Sequence, residues 1–162
     1  MKKVFLTVLA VALVAVTAVQ AQKVNKSALV SKIEKSDADI ADAKKGAKAA
    51  TWINRGKAFY EAAIEPTKNL FVNMDAAMLK LAVGEPASTE SVTLVNVPYE
   101  AWVYPWFTAY IKDGKIATWS QTQWVIEDAP AKAIEAYNKA YEMDPKTADK
   151  VCLLYTSDAA DE

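Results

Sequence analysis

The sequence predicts an α+β protein in which a small module interrupts a helical hairpin. Two amphipathic segments, 51–66 and 129–145, carry small and aromatic residues at helical spacing and predict the two helices of the hairpin. The segment between them has a short helical pattern, then β-rich runs and an Asp-Gly turn. The expected architecture is therefore a helical hairpin, preceded by an N-terminal helix, with a helix and an antiparallel β-meander inserted into its turn.

Residues 1–21 have the form of a Sec signal peptide. Lys2 and Lys3 precede an apolar run over 4–19, and "VQA" precedes Gln22. A membrane anchor is less favoured, because the run is shorter than the about 20 residues that a spanning helix needs. We expect cleavage after Ala21, a periplasmic or secreted protein, and no membrane span after cleavage.

The segment from Gln22 to Ala63 predicts an N-terminal helix followed by the first helix of the hairpin. Within it the pattern indicates two helical stretches separated near 36–42, and the later one continues into 51–66. Leu29 and Ile33 are apolar positions of the earlier stretch, which is expected to pack as a capping helix. Residues 22–57 carry nine basic and four acidic side chains, against four and nine in 60–128. We interpret this difference in charge either as solvent-exposed charged faces or as a helical layer that packs against an acidic insert.

The insert, 64–127, begins with a predicted short helix over 73–86. Asp75 is its expected N-cap, and Gly84 and Pro86 are expected to end it. One face carries Met78, Leu79 and Ala82.

β-rich material follows this helix. "SVTLVNV" and "YEAWVY" are strand-like, and "FTAYIKDGKIATWS" predicts a hairpin with Asp113 and Gly114 as a two-residue turn. That register pairs Ile111 with Ile116 and Ala109 with Thr118 on one face. It places Tyr110 and Trp119 diagonally on the other face.

The chain changes character after the second hairpin helix, which is predicted within 128–151. Residues 152–162, "CLLYTSDAADE", resemble translated sequencing adapter from transposase-based library preparation. We therefore expect these residues to be an artefact that truncates the natural sequence at Val151. Cys152 is the single cysteine, so the natural segment is expected to have neither disulfide nor thiol chemistry.

Composition excludes several function classes. Residues 22–151 carry 17 basic and 17 acidic side chains, a balance that does not predict a nucleic-acid-binding surface. Histidine is absent, which removes Ser-His-Asp and Cys-His sites and the commonest zinc ligand. The sequence therefore predicts neither a metal nor a cofactor, and it favours a protein that is not an enzyme. A hydrolase using carboxylates such as Glu100 and Asp113 is the minority hypothesis.

The two hairpin segments together resemble one tetratricopeptide repeat (TPR), whose pattern is W-x2-L-G-x2-Y, A-x3-F and P. The matching positions are Trp52, Gly56 and Phe59 in the first segment and Ala133, Tyr137, Ala140 and Pro145 in the second. An amphipathic helix pair of no family is the alternative. Trp52 and Pro145 are 93 positions apart, whereas a continuous repeat separates them by about 28. Arg55 occupies the position of the usual leucine.

The resemblance implies how the helices pack and where they bind. Gly56 would let the second helix approach closely opposite Ala133 and Ala140, while Trp52, Phe59 and Tyr137 fill the gaps. Protein or peptide partners would lie in a groove lined by Ile53, Lys57 and Tyr60.

The insert resembles the SmpA/BamE-like module of bacterial envelope proteins, through its helix ending in G-x-P and its meander ending in a D-G-K hairpin. Asn73 and Asp75 stand where that family has Gly and Ser or Thr; Asn tolerates the left-handed backbone and Asp can cap a helix. An unrelated small α+β insert is the alternative.

These observations favour an exported, non-enzymatic scaffold of TPR type that binds a protein or peptide. The first alternative is an envelope or outer-membrane assembly accessory that acts through the BamE-like module. A second candidate surface is an aromatic group, which could instead be core; its members are Trp102, Tyr104, Trp106, Tyr110, Trp119 and Trp124. The sequence does not specify the ligand or the oligomeric state.

Overall fold

The computed structural model describes residues 24–147. The predicted signal peptide and the adapter-like residues 152–162 lie outside the described residues. The chain folds into helices α1 (Lys26–Ala41), α2 (Ala49–Ile64), α3 (Ala76–Val83) and α4 (Ala129–Met143), and strands β1 (Ser88–Leu94), β2 (Val97–Val103), β3 (Phe107–Lys112) and β4 (Lys115–Gln121). A short 3-10 turn, Pro145–Thr147, follows α4. The α+β class predicted from the sequence is confirmed.

Helices α2 and α4 form the predicted hairpin, although the inserted module separates them in the chain. A methyl group placed on Gly56 would lie within 2.8 Å of ring carbons Cδ1, Cε1 and Cζ of Tyr137. The nearest group to Gly56 is thus the ring of Tyr137, rather than Ala133 or Ala140 as the sequence predicted. A glycine is needed here because the aromatic ring occupies the space of a side chain.

The helical layer has its own buried cluster, contributed by α1, α2, α4 and the segment before α4. Its buried members are Leu29, Ile33, Ile53, Ala58, Phe59, Ala62, Ala63, Val125, Ala129, Ala133, Tyr137 and Ala140. Helix α1 lies against α2, as expected for a capping helix.

Helix α1 is continuous to Ala41, so the predicted break near 36–42 is wrong; the chain turns at 42–48 instead. Ser36 is buried within this helix, where its hydroxyl donates to the carbonyl of Ile33 (2.7 Å) and accepts from Nη1 of Arg55 on α2 (2.9 Å). The turn is organised by Asp42, whose carboxylate accepts the backbone N–H groups of Lys44 (2.9 Å) and Lys45 (2.8 Å). These bonds hold the pKa of Asp42 below its usual value.

Arg55, which departs from the repeat pattern, is a packing residue between α1 and α2. Its guanidinium forms an ion pair with Asp37 and lies 4.9 Å from the centroid of the Phe59 ring. A charged side chain therefore replaces the expected leucine by binding the neighbouring helix and stacking over an aromatic ring.

The four strands form an antiparallel meander in the order β1, β2, β3, β4. One face of the sheet packs against α3 and buries a second cluster: Leu70, Met74, Ala76, Leu79, Val83, Trp102, Tyr104, Phe107, Ala109, Ile111 and Ile116. The other face carries Tyr99 and Tyr110, whose rings meet edge to face at 6.5 Å.

The β3–β4 hairpin turns at Asp113 and Gly114, both with positive φ, as the sequence predicted. Ile111 pairs with Ile116 as expected, but the register then shifts, so Ala109 pairs with Trp119 and Tyr110 with Thr118. The predicted pairing of Ala109 with Thr118 is therefore wrong. One extra residue in β4, a β-bulge, turns Trp119 toward the face that Ile116 shares.

The backbone conformations predicted at the two ends of α3 are confirmed. Asn73 and Gly84 both have positive φ, at 68° and 89°. Asp75 is the N-cap residue, but its side chain makes no capping hydrogen bond; the backbone at 73–76 pairs with the start of β4 instead. Asn73 N donates to Ile116 O (2.8 Å), and Ile116 N donates to Met74 O (2.9 Å).

The module and the helical layer are joined by direct packing. Trp106 contacts both buried clusters, and Val125 is buried in the helical one. The backbone N–H of Thr122 donates to the carbonyl of Trp106 (2.8 Å). The connection from β4 to α4 is therefore part of the helical core. Within residues 24–147, no helix is long and apolar enough to cross a membrane.

Candidate functional site

An apolar cleft lies where α2, α4 and the connection after β4 meet, and we call it the α2–α4 cleft. Its volume is about 260 Å³. The residues that line it are Tyr60, Ala63, Ile64, Thr67, Gln121, Trp124, Pro130, Ala133 and Ile134. Carbon atoms of aliphatic and aromatic side chains supply most of its wall.

The polar groups at one end of the cleft are already engaged with the protein. Gln121 Nε2 donates to the carbonyls of Ala63 (3.2 Å) and Gln123 (3.0 Å). The hydroxyl of Thr67 lies 3.4 Å from Gln121 Oε1 and 3.4 Å from the carbonyl of Ile64. Because these polar groups already have hydrogen-bond partners within the protein, the cleft favours an apolar ligand group over a strongly polar one.

Two large apolar side chains at the cleft remain accessible to solvent. Trp124 is 46% exposed and Ile134 is 49% exposed. Trp124 follows the last strand, and Ile134 lies on α4 outside the buried stripe of Ala133, Tyr137 and Ala140. Adjacent exposed apolar side chains at a concave surface are typical of a binding site.

The groove predicted from Ile53, Lys57 and Tyr60 does not form one surface. Ile53 is buried in the helical cluster, which is a correction to the prediction. Its burial follows from the position of α2, which packs against both α1 and α4 and so has little free surface in its first half. Lys57 is exposed away from the cleft, and Tyr60 lines the cleft.

Two residues of the predicted aromatic surface are buried core residues, which corrects the hypothesis that they form a binding surface. Trp102 lies under α3, with Nζ of Lys80 4.8 Å from its ring centroid. Tyr104 stacks on Phe107 with a centroid distance of 4.9 Å. Burial, together with the charge of Glu85, raises the pKa of Tyr104 well above its ordinary value.

The remaining aromatic residues have different surroundings from one another. Trp119 is half-buried beside the second cluster, and Trp106 is half-buried between the two clusters. Tyr110 is half-buried on the opposite face of the sheet, with its hydroxyl 3.3 Å from that of Ser120. Of the predicted aromatic group, Trp124 alone lines the cleft.

The residues proposed for repeat packing lie mostly in the helical core. Phe59, Ala133, Tyr137 and Ala140 are buried, and the half-buried Trp52 donates from its indole Nε1 to the carbonyl of Gly46 (2.9 Å). Pro145 follows the end of α4 at Met143, as predicted for a helix stop.

The carboxylates of the hydrolase hypothesis do not line the cleft. Glu100 is exposed on β2, and Asp113 is exposed in the β3–β4 turn. Among the described residues, no group of three or more His, Cys, Asp or Glu side chains is placed to hold a metal ion.

The fold and the cleft define an α+β protein with a three-helix layer, a β-meander module and an apolar cleft where the two meet. Comparison with protein-family models, with curated proteins and with solved structures finds no significant match for this chain.

Proposed function

We propose that this chain is an exported, non-enzymatic scaffold of TPR type that binds a protein or peptide through the α2–α4 cleft. The observation that carries the proposal is the pair of exposed apolar side chains, Trp124 and Ile134, on a cleft of about 260 Å³. The export component rests on the signal-peptide pattern of residues 1–21.

The size and lining of the cleft favour the side chain of a peptide. Pockets for drug-sized ligands have volumes of about 300–1,000 Å³, so this cleft is small for a cofactor. Among its described lining residues, Tyr60 is the sole titratable group, and no Asp, Glu, Lys or Arg contributes to the wall. Such a lining provides contact area for an apolar anchor residue and no general base or nucleophile of the usual kinds.

Peptides selected by phage display against the chain from Gln22 onward provide a direct test. We expect Ile134→Glu to weaken their binding about tenfold or more, because it places a charge beside the cleft. Leu81→Glu is the matched control, since Leu81 is 88% exposed on α3 and does not line the cleft. Peptides that bind Ile134→Glu and the unmodified chain equally would contradict the proposal.

A second candidate function is that of an envelope-assembly accessory acting through the inserted module. Its support is the face of the sheet opposite α3, where the half-buried Tyr99 and Tyr110 form an edge-to-face pair. A Tyr99→Ala, Tyr110→Ala double variant would separate the two functions. It should retain binding at the cleft and lose binding at the module.

A further inference from the structure

The two edge strands of the sheet, β1 and β4, differ in how far their outer edges are covered. The edge of β4 is covered at its start by the segment 73–76, which pairs with residues 114–116 through backbone hydrogen bonds of 2.8 to 2.9 Å. The same strand contains the β-bulge. Within residues 24–147, β1 pairs with β2 alone, so its outer edge has no neighbouring strand in the described part of the chain.

The hydrogen-bonding phase of β1 follows from the adjacent strands. Tyr104 N donates to Phe107 O (2.9 Å), so the even-numbered residues of β2 direct their backbone groups toward β3 and the odd-numbered ones toward β1. In β1 the partners of those odd-numbered residues are even-numbered, for example Val92 with Tyr99. The N–H and C=O groups of Thr89, Ser91 and Thr93 therefore face the open edge.

The outer edge of β1 lacks the usual protection against strand addition. Its seven residues, STESVTL, include no proline and no lysine, and its pairing with β2 has no register shift. Glu90 is its single charged residue, and Glu90, Val92 and Leu94 share one face of the strand. An unpaired edge of this kind can hydrogen-bond to an extended backbone.

The turn after β1 is a second observation at the same hairpin. Val95 is 94% exposed and has a φ of 49°, a left-handed conformation that β-branched residues strongly disfavour. An accessible apolar side chain in a strained backbone conformation therefore lies next to Leu94, at the end of the open edge.

We propose that the outer edge of β1 binds an extended segment of a partner protein as a fifth, antiparallel strand. Charge identifies the partner as basic, because an incoming residue opposite Glu90 gains an ion pair, and residues 60–128 carry nine acidic against four basic side chains. Residues opposite Val92 and Leu94 would be apolar. This site is separate from the α2–α4 cleft and does not depend on the function proposed for it.

In the register of greatest overlap, which is centred on Ser91, a second copy of the chain fits this edge less well. Two β1 strands related by a two-fold axis at Ser91 would place Glu90 opposite Val92 of the other copy. The two Glu90 carboxylates would then be diagonal neighbours on one face without a counter-ion, which is unfavourable. The charge pattern therefore favours a foreign basic strand.

The probe is a fluorescein-labelled peptide, Lys-Val-Thr-Val-Thr-Arg-Thr-amide, designed to place Arg opposite Glu90 and Val opposite Val92 and Leu94. Fluorescence anisotropy with the chain from Gln22 onward should show saturable binding below about 1 mM. The same peptide N-methylated at its Thr amides, which would face β1, should lose binding. N-methylation at the Val amides, which would face away, should preserve it.

Protein variants test the same geometry. Ser91→Pro removes an outward N–H and should weaken binding about tenfold or more, whereas Ser91→Ala should change it less than about threefold. Glu90→Lys should weaken binding of the Arg peptide and favour a peptide with Glu in its place. Val92→Pro removes an inward N–H and should lower the melting temperature much more than Ser91→Pro does.

Several results would overturn the proposal. The first is that the peptide does not bind at about 1 mM. The second is that both N-methylated peptides bind equally well. The third is that Ser91→Pro and Val92→Pro lose equal stability. Sedimentation that shows a dimer lost in Ser91→Pro would identify a second copy as the occupant and contradict the foreign strand. Loss of cleft binding in Ile134→Glu with unchanged binding of this peptide would show that the two sites are independent.

Discussion

The close approach of α2 and α4 predicts that Gly56→Ala destabilises the protein, although alanine is the better helix former. The new methyl group would lie within 2.8 Å of three ring carbons of Tyr137, and contacts below about 3 Å require a shift of the neighbour. Tyr137 is 2% exposed, so its ring has no solvent to move into.

The expected magnitude is the difference of two opposing terms. Overpacking of a buried contact costs about 1–3 kcal/mol. Replacement of glycine inside a helix stabilises by about 1 kcal/mol. We therefore expect a net loss of about 1 kcal/mol, which is too small to interpret from a single variant.

A double-mutant cycle with Tyr137→Leu makes the effect specific. Leucine removes the aromatic ring, so Gly56→Ala should become stabilising by up to about 1 kcal/mol in that background. Equilibrium urea unfolding of the four proteins measures the coupling, expected at about 1–3 kcal/mol. A coupling energy below about 0.5 kcal/mol would refute the inferred contact between Gly56 and Tyr137.

Three further predictions concern the module and its junction. Tyr104→Phe should lessen the fall of melting temperature above pH about 10. Because the pKa of Tyr104 is higher in the folded than in the unfolded state, its contribution to stability is complete below the unfolded-state pKa and is lost as the pH rises through the folded-state pKa. If the melting temperatures of the two proteins fell in parallel with pH, the burial of Tyr104 would not be the cause. Val95→Asn should raise stability by about 1 kcal/mol in urea, because asparagine tolerates positive φ, and an unchanged or lower stability would mean that Val95 is not strained. Trp106→Ala should lower the free energy of unfolding by about 2–3 kcal/mol, because Trp106 packs against both buried clusters. The thermal transition measured by far-ultraviolet circular dichroism should then differ from that measured by Trp fluorescence. Coincident transitions would show that Trp106 does not couple the unfolding of the two clusters.

Signals that act within a few residues determined much of the fold directly. Asp113 and Gly114 specify a two-residue turn because both accept positive φ, and Gly84 ends α3 for the same reason. Pro145 follows the end of α4, where a missing backbone N–H prevents further helix. The small and aromatic spacing of 51–66 and 129–145 likewise predicted two helices, because helical periodicity is a property of the segment itself. Their pairing as a hairpin was predicted from the resemblance to one tetratricopeptide repeat.

The site depended on contacts between distant residues, which no local pattern encodes. Ile53 was predicted for a groove but is buried, because α1 and α4 both pack on α2. Trp102 was predicted for a surface but is buried, because α3 covers its face of the sheet. Exposure is decided by which element lies on a face, and that is fixed when the elements pack.

The sequence by itself determined the class, the order of the elements and the places where the chain turns sharply at glycine, proline and Asp-Gly. The tertiary structure alone decided the bulge that turns Trp119 inward, the left-handed turn at Val95 and the meeting of Tyr60, Trp124 and Ile134 in one cleft. The physical reason is that turn and helix preferences are properties of a few consecutive residues. Burial, register and concave surfaces instead result from the simultaneous packing of segments that are far apart in the chain.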